Sequence, residues 1–197
     1  MPLPVAHSLA AATLYEGLDA GGGARAWPRL LLAVVISNAP DLDLIPGIIV
    51  GEPNRYHHVG FSHSLVFAVA AALAAGLVAA ATGKAWPLRF GRWEGGLGTA
   101  LMVGGLLASH VLLDACNRDF RPPPGVPMFW PLSDAYVNIY PWFYEVAKLG
   151  GQGGPLEFVL SLMTVHNLGA MAFEALTLAP VLALVAWQRR RSRRRRA

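Results

Sequence analysis

The sequence predicts an all-α integral membrane protein, with about three spanning helices and several shorter embedded or interfacial ones. Three observations predict it. Of the 197 residues, 54% are hydrophobic and 14% are charged, whereas about a quarter of a soluble domain is charged. The mean hydropathy is +0.42. Apolar stretches also recur at lengths that, at about 1.5 Å per residue, cross a hydrocarbon core of about 30 Å.

Residues 4–18 read as a short amphipathic or packed helix. Residues 27–39, "WPRLLLAVVISNA", are too short to span alone, and Pro40 and Pro46 are expected to break them. That predicts a half-embedded helix followed by a loop. Residues 62–82 form a first span. Residues 97–116 form a second, with Gly104, Gly105 and Ala108 offering a close-packing face. Residues 156–188 form a longer apolar helix. Between the spans, 83–96 is a basic connector with aromatic anchors, and 117–155 is rich in Pro, Gly and aromatic residues. The latter reads as an interfacial cap, with Trp130, Tyr136, Tyr140, Trp142 and Tyr144 suited to the headgroup layer. The division expected is therefore a membrane-embedded domain at 1–188 and a basic tail at 189–197.

The N-terminal stretch lacks a basic n-region and carries His7, Glu16 and Asp19, so no cleavable signal peptide is expected. The single cysteine, Cys116, excludes an intrachain disulfide. The net charge of +4 comes from the tail, where seven arginines occupy the last nine residues. So short a run reads as a solvated stop-transfer anchor and gives no strong nucleic-acid signal.

Helix direction sorts the polar residues. The spans at 62–82 and 97–116 are joined by a short connector and run antiparallel, so His63 and the His110/Asp114 pair fall at one end. The helix at 27–39 delivers Asp41 and Asp43 there, and His7 opens a helix running the other way. Twelve Lys and Arg lie at the opposite end against four at this one. The positive-inside rule then puts the arginine tail in the cytoplasm and the polar cluster at the extracytoplasmic face of a bacterial-type inner membrane.

"HVLLD" places His110 and Asp114 four apart on one helix face, inside an apolar span where ionisable groups are costly unless paired or functional. A structural hydrogen bond would explain the pair equally well in isolation. "PDLD" offers Asp41 and Asp43, which in an extended turn would point the same way; a capping turn is the ordinary alternative. "HHVGFSH" offers His57, His58 and His63, with His63 favoured by its place at a helix start. Ser62 and Ser64 read as caps or supporting partners. His166 and Glu174, eight residues apart, read as a buried polar pair or as support for the cluster. Asp134 is a candidate lid residue, and Arg118 and Arg121 are candidate phosphate contacts.

Imidazoles and carboxylates without a thiolate suit Zn²⁺ or another borderline divalent ion, one or two per chain. Such an ion polarises a phosphoryl or carbonyl oxygen and lowers the pKa of a water towards about 7. A spare carboxylate among Asp41 and Asp43 is the candidate general base. A membrane-bound phosphoester hydrolase acting on a lipid or lipid-linked substrate is the expectation. A non-enzymatic membrane protein with a structural metal site is the alternative.

The order of motifs, an N-terminal His followed by "APDLD", "HHVGFSHS", "HVLLDACN" and "GVPMFWPLSD", resembles the YdjM-like family of inner-membrane-associated, metal-dependent hydrolases, also described as LexA-binding. That family is distantly similar to the all-helical, zinc-dependent phospholipase C and single-strand nuclease superfamily. The resemblance implies metal ligation by His110 and by Asp114, the latter bridging two ions. It implies ligation also by Asp41, with Asp43 beside it, by His63 or His58, and by His7. The superfamily's later His-x-x-x-Glu pair has no counterpart, because Ala170 follows His166 at that spacing.

Overall fold

In the computed structural model the chain is described over residues 2–18, 26–52, 60–83, 90, 93–118, 123–147 and 155–194. Seven α-helices follow in order among the described residues: α1 Pro4–Leu18, α2 Ala26–Asn38, α3 Leu44–Ile49, α4 Leu65–Thr82, α5 Gly95–Asp114, α6 Pro155–Ser161 and α7 Val165–Arg194. Short 3₁₀ turns precede α3 (Ala39–Asp43) and α4 (Phe61–His63). Among the described residues, four segments are long and apolar enough to cross a membrane: Trp27–Ile49, Leu65–Thr82, Gly95–Asp114 and Val165–Ser192.

The first of these corrects an expectation. Pro40 and Pro46 do not end the segment that starts at Trp27. Pro40 opens the 3₁₀ turn, and Pro46 lies in the first turn of α3. At both places a helix has no acceptor for the missing N–H, so proline is tolerated. A second correction concerns 156–188, which is two helices. Thr164 Oγ1 accepts from the Asn167 N–H at 3.1 Å and restarts the chain as α7. The Asn167 side chain then locks the break: its Oδ1 accepts from Ala147 N (2.8 Å), and its Nδ2 donates to the carbonyls of Ala147 (2.8 Å) and Leu162 (3.0 Å).

The scaffold of the polar cluster is the antiparallel α4/α5 pair. A Cβ added at Gly96 would stand 2.6 Å from the Gly76 carbonyl oxygen, and one at Gly104 3.1 Å from Ala72 Cβ. Of the two glycines expected on the close-packing face, Gly104 therefore faces α4, while Gly105 has nothing within 4 Å of an added Cβ. Ala68 packs with Val103 and Leu107 further along the seam. Small residues let helices approach closely where lipid gives no hydrophobic drive to associate. This approach sets the register that brings His63 level with His110.

Against this pair lies α1, antiparallel to α2. Ala11, Tyr15, Ala33, Met102 and Leu106 form one buried cluster from α1, α2 and α5. The Ser37 hydroxyl joins the same three helices, reaching the His7 carbonyl at 3.3 Å and the Leu106 carbonyl at 3.5 Å. The 123–147 segment caps the α5 end. Its backbone meets α5 and its C-terminal residues at Ile139 N to Ala115 O (2.7 Å) and Trp142 N to Cys116 O (2.9 Å), and meets α4 at Leu65 N to Met128 O (2.8 Å). At the bend of this cap Gly125 has φ +95°, and an added Cβ would strike the Val137 carbonyl, so only glycine fits.

Candidate metal centre

His110 and Asp114 face one way from the last turns of α5, as their i,i+4 spacing requires. His63 ends the 3₁₀ turn before α4, held by Ser64, whose hydroxyl accepts from Phe67 N at 3.1 Å and caps the helix. Asp41 comes from the 3₁₀ turn that follows α2. One ligand atom from each of these four residues lies within 4.8 Å of the other three. Five of the six separations are tight. His63 Nε2 is 3.2 Å from His110 Nε2, 3.5 Å from Asp41 Oδ1 and 3.4 Å from Asp114 Oδ2. His110 Nε2 is 3.6 Å from Asp41 Oδ1 and 3.0 Å from Asp114 Oδ2. Donors around a single tetrahedral Zn²⁺, each at 2.0–2.1 Å, stand about 3.3 Å apart.

Hydrogen bonding tests the fit independently. Neither oxygen of Asp41 and neither ring nitrogen of His7 has a hydrogen-bond partner, and His110 Nδ1 also lacks one. An unsatisfied buried polar group costs about 1–3 kcal/mol. Several in one place suit a cation that the ring nitrogens and carboxylate oxygens would surround. The residues fit a divalent ion.

Asp43 takes a different role from Asp41. The sequence expectation placed both on one side of an extended turn. The 3₁₀ conformation has three residues per turn, so residues two apart point in different directions. Asp43 Oδ2 sits 3.1 Å from His63 Nδ1, the nitrogen turned away from the cluster, and accepts from the Ser62 hydroxyl at 3.0 Å. A carboxylate on the outer nitrogen fixes the tautomer that presents Nε2 to the cluster.

His7 stands behind the cluster. Its ring stacks on His110 at 3.9 Å between centroids, and its Nε2 is 3.5 Å from Asp114 Oδ1. Asp114 therefore turns one oxygen towards the two Nε2 atoms and the other towards His7. Burial lowers the His7 pKa, the charge of His110 adds to the effect, and Asp114 opposes it. Burial works against a charge on His63 too, but Asp41, Asp43 and Asp114 outweigh it and raise its pKa to about 10.

The remaining sequence candidates lie elsewhere. Asp134 is exposed and gives the cluster no ligand. Arg118 Nε donates to the Pro141 carbonyl at 3.1 Å, and its guanidinium lies 5.2 Å from the Tyr144 ring. His166 is exposed and contacts the Glu145 carbonyl at 2.8 Å. It does not pair with Glu174, because residues eight apart are two turns distant. Glu174 is fully buried and instead accepts from Leu3 N (2.6 Å) and Ala6 N (3.0 Å) at the start of α1. His57, His58 and Arg121 lie outside the described residues. Sequence reasoning missed Ser37 and the Glu174 clamp on α1. An acidic residue inside an apolar span is a signal that points to Glu174, but not to its partners 168 and 171 residues away.

The chain matches the YdjM inner membrane protein family over residues 1–192. It is 34% identical over 139 residues to inner membrane protein YbcI of Escherichia coli (strain K12), a stretch covering 68% of this chain and 70% of that protein. No solved structure matches it significantly. A match over nearly the whole length, on a chain whose described residues form helices with four candidate spans, identifies this protein as a member of the YdjM family of inner membrane proteins.

Proposed function

We propose that this protein is a membrane-bound, metal-dependent hydrolase that cleaves phosphoesters of a lipid or lipid-linked substrate at the Asp41, His63, His110 and Asp114 centre. One observation carries the reading. The donor set is two imidazoles and two carboxylates with no thiolate, and one donor, Asp41, comes from the only one of the four side chains that is partly exposed, its Oδ1 3.5–3.6 Å from both imidazole Nε2 atoms. Structural zinc sites are dominated by cysteine, whereas His/carboxylate sets belong to catalytic sites with an openable position. Zinc is the ion this set favours.

A bound divalent ion supplies Lewis-acid polarisation of the phosphoryl oxygen and acidifies the attacking water. The protein's groups divide the rest. His63, His110 and Asp114 are buried and orient the centre, with Asp43 fixing the His63 ring. Asp41, the most exposed side chain of the four, would take the water's proton on one of its oxygens. The water oxygen would bond to phosphorus as the bond from phosphorus to the ester oxygen breaks, and the alcohol would depart with the proton that Asp41 received. The excess of Lys and Arg at the other end of the helices supports a cytoplasmic arginine tail and an extracytoplasmic centre.

A second reading has its own observation: four protein donors fill a tetrahedral shell, as structural sites do. The protein would then hold metal without turnover and act as a regulatory partner, as the LexA-binding description of the family suggests. Metal analysis of detergent-purified wild type and Asp114→Ala, with a phosphodiesterase screen on lipid substrates, separates the two. Metal in the wild type, its loss in the variant and lipid turnover support the hydrolase. The same metal pattern without turnover supports the structural reading, and full metal content in the variant removes Asp114 from the ligands.

A further inference from the structure

The centre is buried on most sides and most thinly covered on one. His7, His63 and His110 are fully buried, and Asp114 nearly so. The Asp41 and Asp43 side chains retain 12% and 14% exposure. Both carboxylate oxygens of Asp41 are buried, so among the described residues the side chains of the centre come nearest the surface along the edge formed by the two 3₁₀ turns.

The residues interleaved with the polar ones on that edge are apolar and exposed. Leu42, between the two aspartates, is 60% exposed. Phe61 is 55% exposed and immediately precedes Ser62, whose hydroxyl bonds Asp43. Ile45, two residues after Asp43, and Trp130 are exposed as well, with Trp130 6.4 Å from Phe61 between ring centroids. An entrance facing water would not gather large apolar side chains around two carboxylates. An entrance facing lipid would, and Leu42 and Ile45 belong to the candidate span Trp27–Ile49. An apolar surface with a few polar groups converging beneath it suits a ligand of matching amphiphilic pattern.

We propose that the centre opens sideways into the bilayer through the Asp41–Asp43–Ser62 edge and takes a single-tailed or double-tailed phosphoester. The phosphate lies against the metal centre, and an alkyl chain lies along Leu42, Ile45, Phe61 and Trp130. This rests on the metal centre of the preceding section but not on turnover there.

The test uses the full chain, zinc-loaded, in phosphatidylcholine nanodiscs. The probe is hexadecylphosphonate with a mid-chain diazirine, whose carbon–phosphorus bond ester hydrolysis does not cut, so an inactive enzyme leaves the result intact. The expected result is photolabelling concentrated on Leu42, Ile45 and Phe61, at least fivefold above exposed Leu73 and Leu77 of α4. Labelling falls at least fivefold with excess unlabelled hexadecylphosphonate but not with methylphosphonate. It also falls on chelation and returns when zinc is restored. The double variant Leu42→Ser/Phe61→Ser keeps its metal content and loses at least fivefold of the labelling. Equal labelling of Leu73 and Leu77, indifference to chelation, or equal competition by methylphosphonate overturns the proposal. So does undiminished labelling of a metal-loaded double variant. Failure of every lipid phosphoester to turn over, with the expected labelling, removes the hydrolase and leaves this entrance standing.

Discussion

Two regions build the centre, and they are made differently. The α4/α5 side supplies His63, His110 and Asp114 from a seam packed through Gly76, Gly96 and Gly104, and all three side chains are buried. The α2/α3 side supplies Asp41 and Asp43 from a single 3₁₀ turn bracketed by prolines, and both side chains are partly exposed. The difference teaches a division of labour. On the proposed reading the seam would hold an ion and the turn would govern what else reaches it.

The largest expected effect falls on the seam. His110→Ala should lower zinc affinity by about 100-fold or more, measured by competition with a chromogenic chelator, because it removes a donor that lies 3.0–3.6 Å from three others. Asp41→Asn should retain metal within about tenfold while losing most lipid turnover. If Asp41→Asn loses metal as completely as His110→Ala, the division between seam and turn is wrong.

Asp43→Asn probes the turn from its other side. It replaces the carboxylate on His63 Nδ1 with an amide, and losses of about 10- to 100-fold in metal affinity or activity are usual for such partners. Ser62→Ala, which removes only one hydrogen bond to Asp43, should cost less in the same titration.

A smaller effect follows from protonation. His63 is held at a pKa of about 10, above its unfolded value of about 6.5, so below pH 10 an incoming ion must displace its proton. Zinc affinity should rise with pH, about tenfold per unit over the range in which one proton is released. For the metal-free protein the sign is opposite. The stability contributed by protonated His63 is complete below about pH 6.5 and fades as pH rises towards 10. Isothermal titration at pH 6, 7 and 8 checks the first, and thermal unfolding after chelation checks the second.

The smallest effect on metal comes from the far end of the seam. Gly96→Ala puts a Cβ 2.6 Å from the Gly76 carbonyl oxygen, and backbone shifts of this kind cost about 1–3 kcal/mol. Because Gly96 lies nearly four turns from His110, the melting temperature should fall while zinc affinity in the folded protein changes less than about threefold.

Much of the centre was legible because helices are periodic. The i,i+4 spacing of His110 and Asp114, and the antiparallel pairing implied by a short connector, place His63 at their level without coordinates. The conformation of "PDLD" was not legible. An extended turn and a 3₁₀ turn both accommodate that string, and only the latter sends Asp41 to the cluster and Asp43 to the outer face of His63. Nor do Pro40 and Pro46 announce that helical geometry resumes through them, since proline disrupts a helix interior but not its first turn. The Glu174 clamp on α1 depends on contacts spanning 168 and 171 residues, beyond any local pattern.

X-ray absorption at the zinc edge on detergent-purified, zinc-loaded protein tests the central claim most directly. Convergence of Asp41, His63, His110 and Asp114 on one ion predicts a nitrogen/oxygen shell at about 2.0–2.1 Å, with the multiple scattering of two imidazoles and no sulfur at about 2.3 Å. A sulfur shell, or a spectrum without histidine scattering, would contradict it.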